Sequence, residues 1–360
     1  MAFNSLNLAS RRCFVQSKSL FSVWHKTVMP VVAHSNLKRK SVEGSFVLNG
    51  RAFSTLTVNS KTIREVKADD TREFLSRYDT VMLDCDGVLW EIDHVTPIPG
   101  IPQAMNDLRE TGKQVLFVTN NSIPGRNELV DKFQQYGFKG CFEEIFTVSY
   151  AAAVYLKNVA KVKGSVYAMG TPGMEIELKE LGLKYHGFGP ETEKPTRDND
   201  KLLAMKFHDD VDAVLVGFDE YFNYIKMYKA ASYLTKESCL FLATNKLEGG
   251  IMIGPNRRQP ITAAMVQAVS VAAKREPTLV GKPDVHMYTC IKTMYPNIDK
   301  SRTLMVGDSV RADIAFAKEI GVDSALVLSG TSSLSSIQEN PGLEPDFILQ
   351  SLAVLGSSYP

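Results

Sequence analysis

The sequence predicts an α/β protein in which a doubly wound parallel sheet is interrupted by a second, inserted α/β domain. Two patterns lead to this fold class. Short apolar runs alternate with amphipathic stretches, which is the order of a parallel sheet with helices on both faces. A second alternation of strands and helices begins in mid-chain, and the pattern of the first part resumes near the end. We therefore expect a core domain formed by residues 60–163 and 277–360, with residues 164–276 inserted into it.

The first part of the core alternates strictly between helix and strand. The run Val81-Met82-Leu83 ends at two acids and Gly87, as a short buried strand does when it enters a turn. Prolines and Gly100 then mark a turn that precedes an amphipathic helix. The predicted elements are a helix at 71–78, a strand at 80–84, a helix at 101–110, a strand at 114–119, a helix at 126–136, a strand at 144–147 and a helix at 150–159.

The inserted domain repeats this alternation, and three further core strands follow it. Its predicted elements are a strand at 165–170, a helix at 174–181, a strand at 212–219, a helix at 220–236, a strand at 239–245 and a helix at 261–274. The acidic stretch 189–210 contains two prolines, so we expect a solvated loop there. The returning core strands are expected at 278–281, 303–307 and 324–330.

Composition narrows the class of protein and its partners. The 360 residues are 44% hydrophobic and 22% charged, as in ordinary globular proteins. Residues 54–360 carry 33 basic and 39 acidic side chains, and this net acidity argues against a nucleic-acid partner. There is no apolar run of ~20 residues, so we expect no membrane partner. Five cysteines without CxxC spacing indicate reduced thiols.

The first 53 residues have a different composition from the rest. They contain eight Arg or Lys against the single acid Glu43, with Ser and apolar residues between the cations. This pattern is typical of a disordered organelle transit peptide. Arg51-Ala52-Phe53-Ser54 resembles a matrix-protease cleavage pattern, so we expect cleavage near Phe53 and a mitochondrial matrix address. A chloroplast stroma address, or a basic tail that leaves the protein in the cytoplasm, is the alternative.

Polar residues follow four of the predicted strands. Carboxyl ends of parallel strands meet at one edge of a sheet, where ligands bind, so we expect these residues to converge. Three acids and a lysine at such an edge are what Mg²⁺-assisted phosphoryl transfer needs. The candidate residues are Asp84, Asp86, Thr119, Asn120, Asn121, Lys282, Asp308 and Asp313.

Each acid has an expected role in this chemistry. Asp84 is the candidate nucleophile, which would form an aspartyl-phosphate and split one hard displacement into two easier ones. Asp86 lies two residues on and could protonate the leaving alcohol, then deprotonate the attacking water. Asp308 would complete the metal site, while Asp313 would orient a metal-bound water or Lys282 from behind. Thr119, the Asn120 backbone N–H and Lys282 would hold the phosphoryl oxygens.

Each motif alone has an ordinary explanation. An Asp pair after a strand is commonly a turn or helix cap, and Thr-Asn-Asn-Ser is a common turn. Lys282 is not part of a nucleotide P-loop, because Pro283 stands where that loop has Ser or Thr. No GxGxxG opens either domain, so a dinucleotide site is unsupported. The combination in this order is what points to phosphoryl transfer.

That combination resembles the haloacid dehalogenase superfamily, and within it the phosphoglycolate, pyridoxal and 4-nitrophenyl phosphatases with a large α/β cap. The similarity runs from about residue 66 to 350. It rests on LDCDGVLW (83–90), FVTNNS (117–122), VLVGFDEYFNY (214–224), LFLATN (240–245), VGKP (280–283) and LMVGDSVRADI (304–314). The resemblance implies Mg²⁺ bound by Asp84, the Asp86 carbonyl and Asp308. It also implies substrate phosphate bound by Thr119, Asn120, Asn121 and Lys282.

The substrate is expected to be a small phosphorylated metabolite. 2-Phosphoglycolate is the first candidate, because the segment FDEYFNY (218–224) of the inserted domain most resembles the phosphoglycolate phosphatases. Pyridoxal phosphate and a broad range of 4-nitrophenyl or glycerol phosphates are alternatives. The stretch after Asn245 departs from the relatives, and there Arg257 and Arg258 could bind a small carboxylate. A solvated loop is the plainer explanation of this arginine pair.

Two further expectations and two alternative functions complete the prediction. The tyrosine-rich helix after residue 220 is expected to be core or to support a homodimer through the cap. A receiver-like phosphate-sensing module without turnover is the main rival, although the inserted domain and Asp86 would be superfluous in it. Dehalogenation is a third possibility, disfavoured because it needs neither Mg²⁺ nor Asp86. Cys85 should face away from the aspartates and be an inert packed thiol.

Overall fold

A computed structural model describes residues 43–48, 51–247 and 250–356, with backbone alone for 43–48, 51–54 and 252. Its strands are β1 (Glu43–Leu48), β2 (Arg51–Val58), β3 (Lys61–Glu65), β4 (Thr80–Leu83), β5 (Gln114–Thr119), β6 (Ile145–Thr147), β7 (Ser165–Met169), β8 (Lys184–His186), β9 (Val211–Val216), β10 (Leu240–Ala243), β11 (Gly250–Gly254), β12 (Arg257–Pro260), β13 (Thr278–Leu279), β14 (Thr303–Gly307), β15 (Asp323–Val327) and β16 (Phe347–Leu349).

The α-helices lie between these strands as the alternating pattern requires. They are α1 (Thr71–Ser76), α2 (Ile101–Glu110), α3 (Arg126–Gln135), α4 (Val148–Val154), α5 (Pro172–Glu180), α6 (Asn199–Leu203), α7 (Tyr224–Tyr233), α8 (Thr262–Ala273), α9 (Val285–Met294), α10 (Ala315–Ile320) and α11 (Leu334–Gln338). Two π-helical turns, Tyr155–Val159 and Val310–Ile314, adjoin α4 and α10. No helix in the described ranges is long and apolar enough to cross a membrane.

The larger sheet has nine strands in the order β1-β2-β3-β16-β15-β14-β4-β5-β6. The pairs from β3 to β6 are parallel, whereas β1, β2 and β3 pair antiparallel at one edge. Side chains alternate between its faces, so Val81 and Leu83 join one apolar cluster and Met82 joins another. Helices therefore cover both faces, and the predicted α/β fold with a parallel-dominated sheet is confirmed.

The second sheet is smaller and entirely parallel, with the order β13-β10-β9-β7-β8. One of its faces shares an apolar cluster with the larger sheet, because Val166 and Leu215 pack together with Met82 and Leu116. Its other face packs with α7 and α8. A separate antiparallel hairpin, β11–β12, follows β10.

Three expectations need correction. The strand before Lys282 is short and pairs with β10 of the second sheet, so it is not a core strand. Its residues Thr278 and Leu279 carry the second sheet past the expected boundary at 276. The stretch 189–210 is not all loop, because Asp198 caps α6 by accepting from two backbone N–H groups. The stretch after Asn245 contains the β11–β12 hairpin, which its turn-rich sequence did not indicate.

The predicted transit peptide partly overlaps the described structure. Residues 1–42 lie outside the described residues, so the expectation of disorder there concerns a part that the structure does not describe. Residues 43–48 and 51–53 belong to β1 and β2, and the whole of β1 pairs with residues 51–56 of β2. Cleavage after Phe53 would therefore remove β1 and the first part of β2 from the edge of the sheet.

Candidate active site

Three neighbouring strands of the larger sheet bring the candidate residues to one edge. Asp84 directly follows β4, Thr119 ends β5 and Asp308 follows β14. β4 pairs with β14 on one side and with β5 on the other, all parallel. The Asp84 N–H continues the ladder by donating to the Val306 carbonyl at 2.9 Å. The three strand ends therefore point at a common space, as the topology of an open parallel sheet requires.

Lys282 reaches this edge from the second sheet. The chain leaves β13 with Gly281 N–H bonded to the Thr244 carbonyl at 2.7 Å. The Lys282 Nζ lies 2.9 Å from Asp84 Oδ1 and 2.7 Å from Asp313 Oδ1, and it donates to the Val118 carbonyl at 2.6 Å. Burial lowers the pKa of this amine, but the charges of Asp313 and Asp84 outweigh burial and raise it overall. Lys282 is therefore a fixed buried cation.

Two carboxylates contact that cation, and a third lies beside them. One oxygen from each of Asp84, Asp308 and Asp313 lies within 4.8 Å of the others. Burial, followed by the Asp313 charge, raises the pKa of Asp84 well above its ordinary value. The same two causes raise the pKa of Asp308 to about 6. One lysine leaves the three acids undercompensated, and hard oxygen ligands in this number suit a divalent cation such as Mg²⁺.

Asp313 is held from behind the cluster. Its Oδ2 accepts from the Ser309 N–H at 2.9 Å, and its Oδ1 accepts from Lys282. The π-helical turn Val310–Ile314 carries it, and its side chain is fully buried. A Cβ on Gly307 would lie 2.1 Å from the Asp313 Cγ, so only glycine leaves room for this side chain. Asp313 thus ties the end of β14 to Lys282.

Asp308 packs against two glycines. A Cβ on Gly87 would lie 2.4 Å from Asp308 Oδ2, and one on Gly330 would lie 2.1 Å away. The Thr331 N–H donates to the same oxygen at 2.6 Å. Sequence reasoning missed Gly330 and Thr331, although they follow β15, another parallel strand of the same sheet. The strand-end rule that identified the acids would have pointed to them as well.

Asp86 points to a different set of partners from the other acids. Its Oδ1 accepts from Trp90 Nε1 at 2.5 Å and from His94 Nδ1 at 2.7 Å, and its Oδ2 accepts from Asn121 Nδ2 at 3.1 Å. Burial opposes ionisation, but these hydrogen bonds, chiefly that from His94, lower the pKa of Asp86. Trp90 and His94 were not predicted as site residues. Trp90 ends the LDCDGVLW stretch but was given no role there, and nothing in the local sequence marks His94.

The segment after β5 connects the two sheets. The Asn121 N–H donates to Thr119 Oγ1 at 3.0 Å, and Asn120 Nδ2 donates to the Lys282 carbonyl at 2.8 Å. Asn120 Oδ1 is buried and has no hydrogen-bond partner within the described part of the chain. A Cβ on Gly281 would lie 2.7 Å from that oxygen, so glycine is needed for this close approach. Asn120 thus positions the Lys282 backbone.

The arginine pair lies on β12 of the hairpin, and both side chains are exposed. Arg257 Nη1 donates to the Asn256 carbonyl at 3.1 Å, and Arg258 Nη1 donates to the Gly250 carbonyl at 3.1 Å. Both contacts are within the hairpin. Their guanidinium groups therefore keep further donors for a ligand.

Cys85 packs as expected between the two aspartates. It is 1% exposed and belongs to the apolar cluster that contains Val81 and Leu83. Burial, followed by the Asp84 charge, raises the pKa of its thiol well above the ordinary value. Because the thiolate is the reactive form, this cysteine is inert.

Comparisons with known proteins agree with this geometry. The family model described as haloacid dehalogenase-like hydrolase matches residues 81–184, and a related HAD-hydrolase-like model matches 279–355. Human glycerol-3-phosphate phosphatase is 34% identical over 307 residues, covering 81% of this chain and 94% of that protein. Chloroplastic phosphoglycolate phosphatase 1A of Arabidopsis thaliana is 35% identical over 299 residues, covering 82% and 81%.

A solved structure shows the same architecture. The p-nitrophenyl phosphatase from Archaeoglobus fulgidus superposes with a TM-score of 0.65 at 26% identity, covering 77% of this chain and 98% of that one. The first matched segment extends through β7 to the start of β8, and the two segments together contain Asp84, Thr119, Lys282 and Asp308. The chain is therefore a phosphatase of the haloacid dehalogenase-like hydrolase family.

Proposed function

We propose that the protein is a Mg²⁺-dependent phosphomonoesterase that works through an aspartyl-phosphate on Asp84. The observation that carries this proposal is the position of Asp84, which sits at a strand end with Lys282 2.9 Å away and Asp308 and Asp313 beside it. A carboxylate among other carboxylates and one fixed cation is suited to attack a phosphoryl group whose charge the site can bind.

The proposed reaction has two halves. In the first, the Asp86 carboxylate takes up a proton as the phosphate ester binds. An Asp84 oxygen then attacks phosphorus, the bond from phosphorus to the ester oxygen breaks, and Asp86 gives that proton to the leaving alcohol. In the second, water attacks the aspartyl-phosphate, its proton passes to Asp86, and the bond to the Asp84 oxygen breaks. Phosphate and the starting carboxylate are released, so Asp86 ends with the proton that it first gave.

The other predicted residues bind and orient the phosphate in this proposal. Lys282, the Thr119 hydroxyl and the Asn120 backbone N–H would hold the phosphoryl oxygens in line with Asp84, with Asn121 beside them. Asp84, the Asp86 carbonyl and Asp308 would hold Mg²⁺, with Asp313 behind them. When bound, Mg²⁺ supplies positive charge against the phosphoryl oxygens. The undercompensated acids of the cluster support this assignment.

The direct test is Asp84→Asn assayed with 4-nitrophenyl phosphate and Mg²⁺. We expect a loss of turnover of about 10⁴-fold or more, because the amide cannot act as nucleophile. Asp79→Asn is the matched control, since Asp79 is an exposed acid at the opposite end of the same strand. Turnover retained in Asp84→Asn would contradict the nucleophile. A wild-type protein that binds phosphate without turnover would favour the phosphate-sensing alternative.

We propose 2-phosphoglycolate as the substrate, with glycerol 3-phosphate as the second candidate. The names of the relatives support both. The exposed Arg257 and Arg258 favour the first, because a guanidinium pairs with a carboxylate by two parallel hydrogen bonds and glycerol phosphate has no carboxylate. Pyridoxal phosphate remains a further alternative.

The arginine pair provides the test of this substrate. Arg257→Gln with Arg258→Gln should raise KM for 2-phosphoglycolate about tenfold and leave 4-nitrophenyl phosphate nearly unchanged, since losing one charged pair costs about 1.4 kcal/mol. Lys246→Gln is the control, because Lys246 pairs with Glu276 at 2.6 Å. Faster turnover of glycerol 3-phosphate than of 2-phosphoglycolate by the wild type would make glycerol 3-phosphate the substrate.

We also propose that the inserted domain, which begins at residue 164 and extends to the end of β13 at Leu279, is a cap that closes over the site and that it supports a homodimer. Tyr221 and Tyr224 of this domain are 44% and 48% exposed, and exposed aromatic side chains are favoured at interfaces. Light scattering after size exclusion should give twice the chain mass of 39.9 kDa. A monomer mass at micromolar concentration would contradict the dimer.

Finally, we propose that residues 1–53 address the protein to an organelle, with the mitochondrial matrix first and the chloroplast stroma as alternative. The basic composition supports a presequence, and the relative from Arabidopsis is chloroplastic. A fluorescent protein fused after residue 53 should co-localise with a matrix marker. Stromal fluorescence would assign the other organelle, and diffuse cytoplasmic fluorescence would contradict targeting.

A further inference from the structure

Residues 87–98, here called the flap, connect the end of β4 to the turn before α2. The flap folds back as a hairpin, because Glu91 N–H donates to the Thr96 carbonyl at 2.8 Å and Ile98 N–H donates to the Leu89 carbonyl at 3.3 Å. Its tip is residues 92–95. Asp93 fixes the tip by accepting from the Val95 and Thr96 N–H groups, both at 2.8 Å. The tip is therefore an ordered turn next to the active site.

His94 at this tip has an unusual backbone. Its φ is +61°, in the left-handed region that residues other than glycine rarely adopt. The surroundings maintain it, because the His94 carbonyl accepts from Lys132 Nζ at 2.7 Å and the neighbouring Val95 carbonyl accepts from the Tyr136 hydroxyl. Lys132 also lies 3.4 Å above the centre of the Trp90 ring. Helix α3 thus holds the strained residue in place.

The side chain of His94 points toward the candidate active site and contacts Asp86. His94 Nδ1 lies 2.7 Å from Asp86 Oδ1, and an imidazole N–H at this position donates to that oxygen both when the carboxyl is ionised and when it carries a proton on Oδ2. Trp90 and Asn121 supply the other two donors. His94 differs from them in position, since its side chain is half exposed and Trp90 is fully buried. His94 therefore closes the open side of the Asp86 carboxylate.

We propose that His94 is a positioning residue that holds the Asp86 carboxyl in the orientation from which it exchanges a proton with the leaving oxygen. This inference rests on the proposed function and adds to it the group that orients the proton donor. The bond between phosphorus and the leaving oxygen breaks as Asp86 delivers its proton to that oxygen. A misdirected Asp86 therefore slows the release of a poor leaving group more than that of a good one.

The leaving group gives a readout that a purely structural role would not change. An alkyl phosphate releases an alkoxide, which needs the proton, whereas 4-nitrophenyl phosphate releases a stable phenolate, which does not. The parameter kcat/KM covers the steps up to the release of the leaving group, so it does not depend on the later attack by water. The ratio of the two kcat/KM values therefore measures proton delivery.

The experiment uses His94→Gly, because glycine adopts a φ of +61° without strain and keeps the turn while the imidazole is lost. We expect kcat/KM for glycerol 3-phosphate to fall about tenfold or more and that for 4-nitrophenyl phosphate to fall less than threefold, a partial loss of general-acid catalysis. Added imidazole should restore part of the alkyl activity. His94→Asn, which also tolerates this φ, is the second variant if His94→Gly folds poorly.

The control and the contradicting results are distinct. Ile92→Ala changes an exposed residue of the same tip, and it should leave both substrates unchanged. Equal losses on both substrates in His94→Gly would show that His94 only supports the flap, and no loss would show that Asp86 does not need it. Either result overturns the proposal and leaves Asp84 chemistry intact. Failure of the proposed function itself would be seen in a different result, namely an Asp84→Asn variant that still hydrolyses the substrate.

Discussion

At the scale of single residues, the active site is a concentration of like charge that only Lys282 offsets within the described residues. Asp84, Asp308 and Asp313 share one small space, and burial together with mutual repulsion raises the pKa of the first two. A fold that keeps such acids together sacrifices stability for binding a cation and a phosphoryl group. The repulsion among these buried carboxylates should therefore lower the free energy of unfolding of the metal-free protein by a measurable amount.

Replacing Asp308 with Asn should stabilise the metal-free protein at neutral pH. The folded-state pKa of Asp308 is about 6, above the ordinary value of 3.8. Folding therefore favours the protonated form, and stability is lost as pH rises from about 4 to about 6. At pH 8 in EDTA we expect Asp308→Asn to gain roughly 3 kcal/mol, with a higher Tm and no activity.

The measurement is a series of thermal melts between pH 4.5 and 8 in EDTA. The advantage of Asp308→Asn should shrink as pH falls through 6, because the wild-type carboxyl becomes protonated. Asp299→Asn is a control, since Asp299 is an exposed acid whose pKa is lowered by hydrogen bonds from Ser301. A Tm below that of the wild type at pH 8 would contradict the prediction.

At the scale of elements, Arg126 connects α3, the first helix after β5, to helix α5 through ion pairs with Glu177 and Glu180. Arg126 of α3 donates from Nε to Glu177 of α5 at 2.9 Å, and its Nη2 lies 3.1 Å from Glu180. Its guanidinium lies 3.7 Å from the Phe142 ring centre and 3.5 Å from that of Tyr150. Burial raises the pKa of Glu177 despite the bonds from Arg126, so the acid is the less favourable partner.

Replacing Arg126 and replacing Glu177 should therefore lower the free energy of unfolding by different amounts. Arg126→Met leaves Glu177 buried without its cation, and we expect a loss of about 3 kcal/mol in the free energy of unfolding. Glu177→Gln removes the costly charge and leaves Glu180 to pair with Arg126, so we expect about 1 kcal/mol. Urea unfolding of each variant and of the double variant would measure this. Equal costs for the two single variants would contradict it.

At the scale of the whole molecule, the site and the edge of the larger sheet are well separated. Strands β3, β16 and β15 lie between β2 and β14, while the site residues follow β14, β4 and β5. The second sheet contributes Lys282 from its edge strand β13. Both sheets are thus required for the site, whereas β1 and the start of β2 are remote from it.

A chain that begins at Ser54 should therefore remain folded and active. It keeps Val58 and Ile63, which are buried in an apolar cluster with Val310 and Ile348. We expect its Tm to lie within a few degrees of the full chain and its turnover of 4-nitrophenyl phosphate to be unchanged. A chain that begins at Lys67 is the contrast, because losing buried Ile63 should cost several kcal/mol. Loss of activity in the chain that begins at Ser54 would contradict the claim that the active site is independent of the β1–β2 edge of the sheet.

The sequence by itself determined the fold class and most of the strand ends. Val81-Met82-Leu83 and the runs before Thr119 and Asp308 are continuous apolar strands, as in a sheet buried on both faces. The parallel order of β4, β5 and β14 then follows from the alternation with helices. These signals are local, so a single sequence was sufficient to place the acids at one edge.

Only the tertiary structure decided how Lys282 and His94 take part. The two residues of β13 carry no periodicity that could assign them to a sheet, and their pairing with β10 joins residues far apart in the chain. The orientation of His94 toward Asp86 depends on Lys132 of α3 and on Tyr136, which directly follows α3. Contacts between distant segments are set by packing, which leaves no local pattern in the sequence.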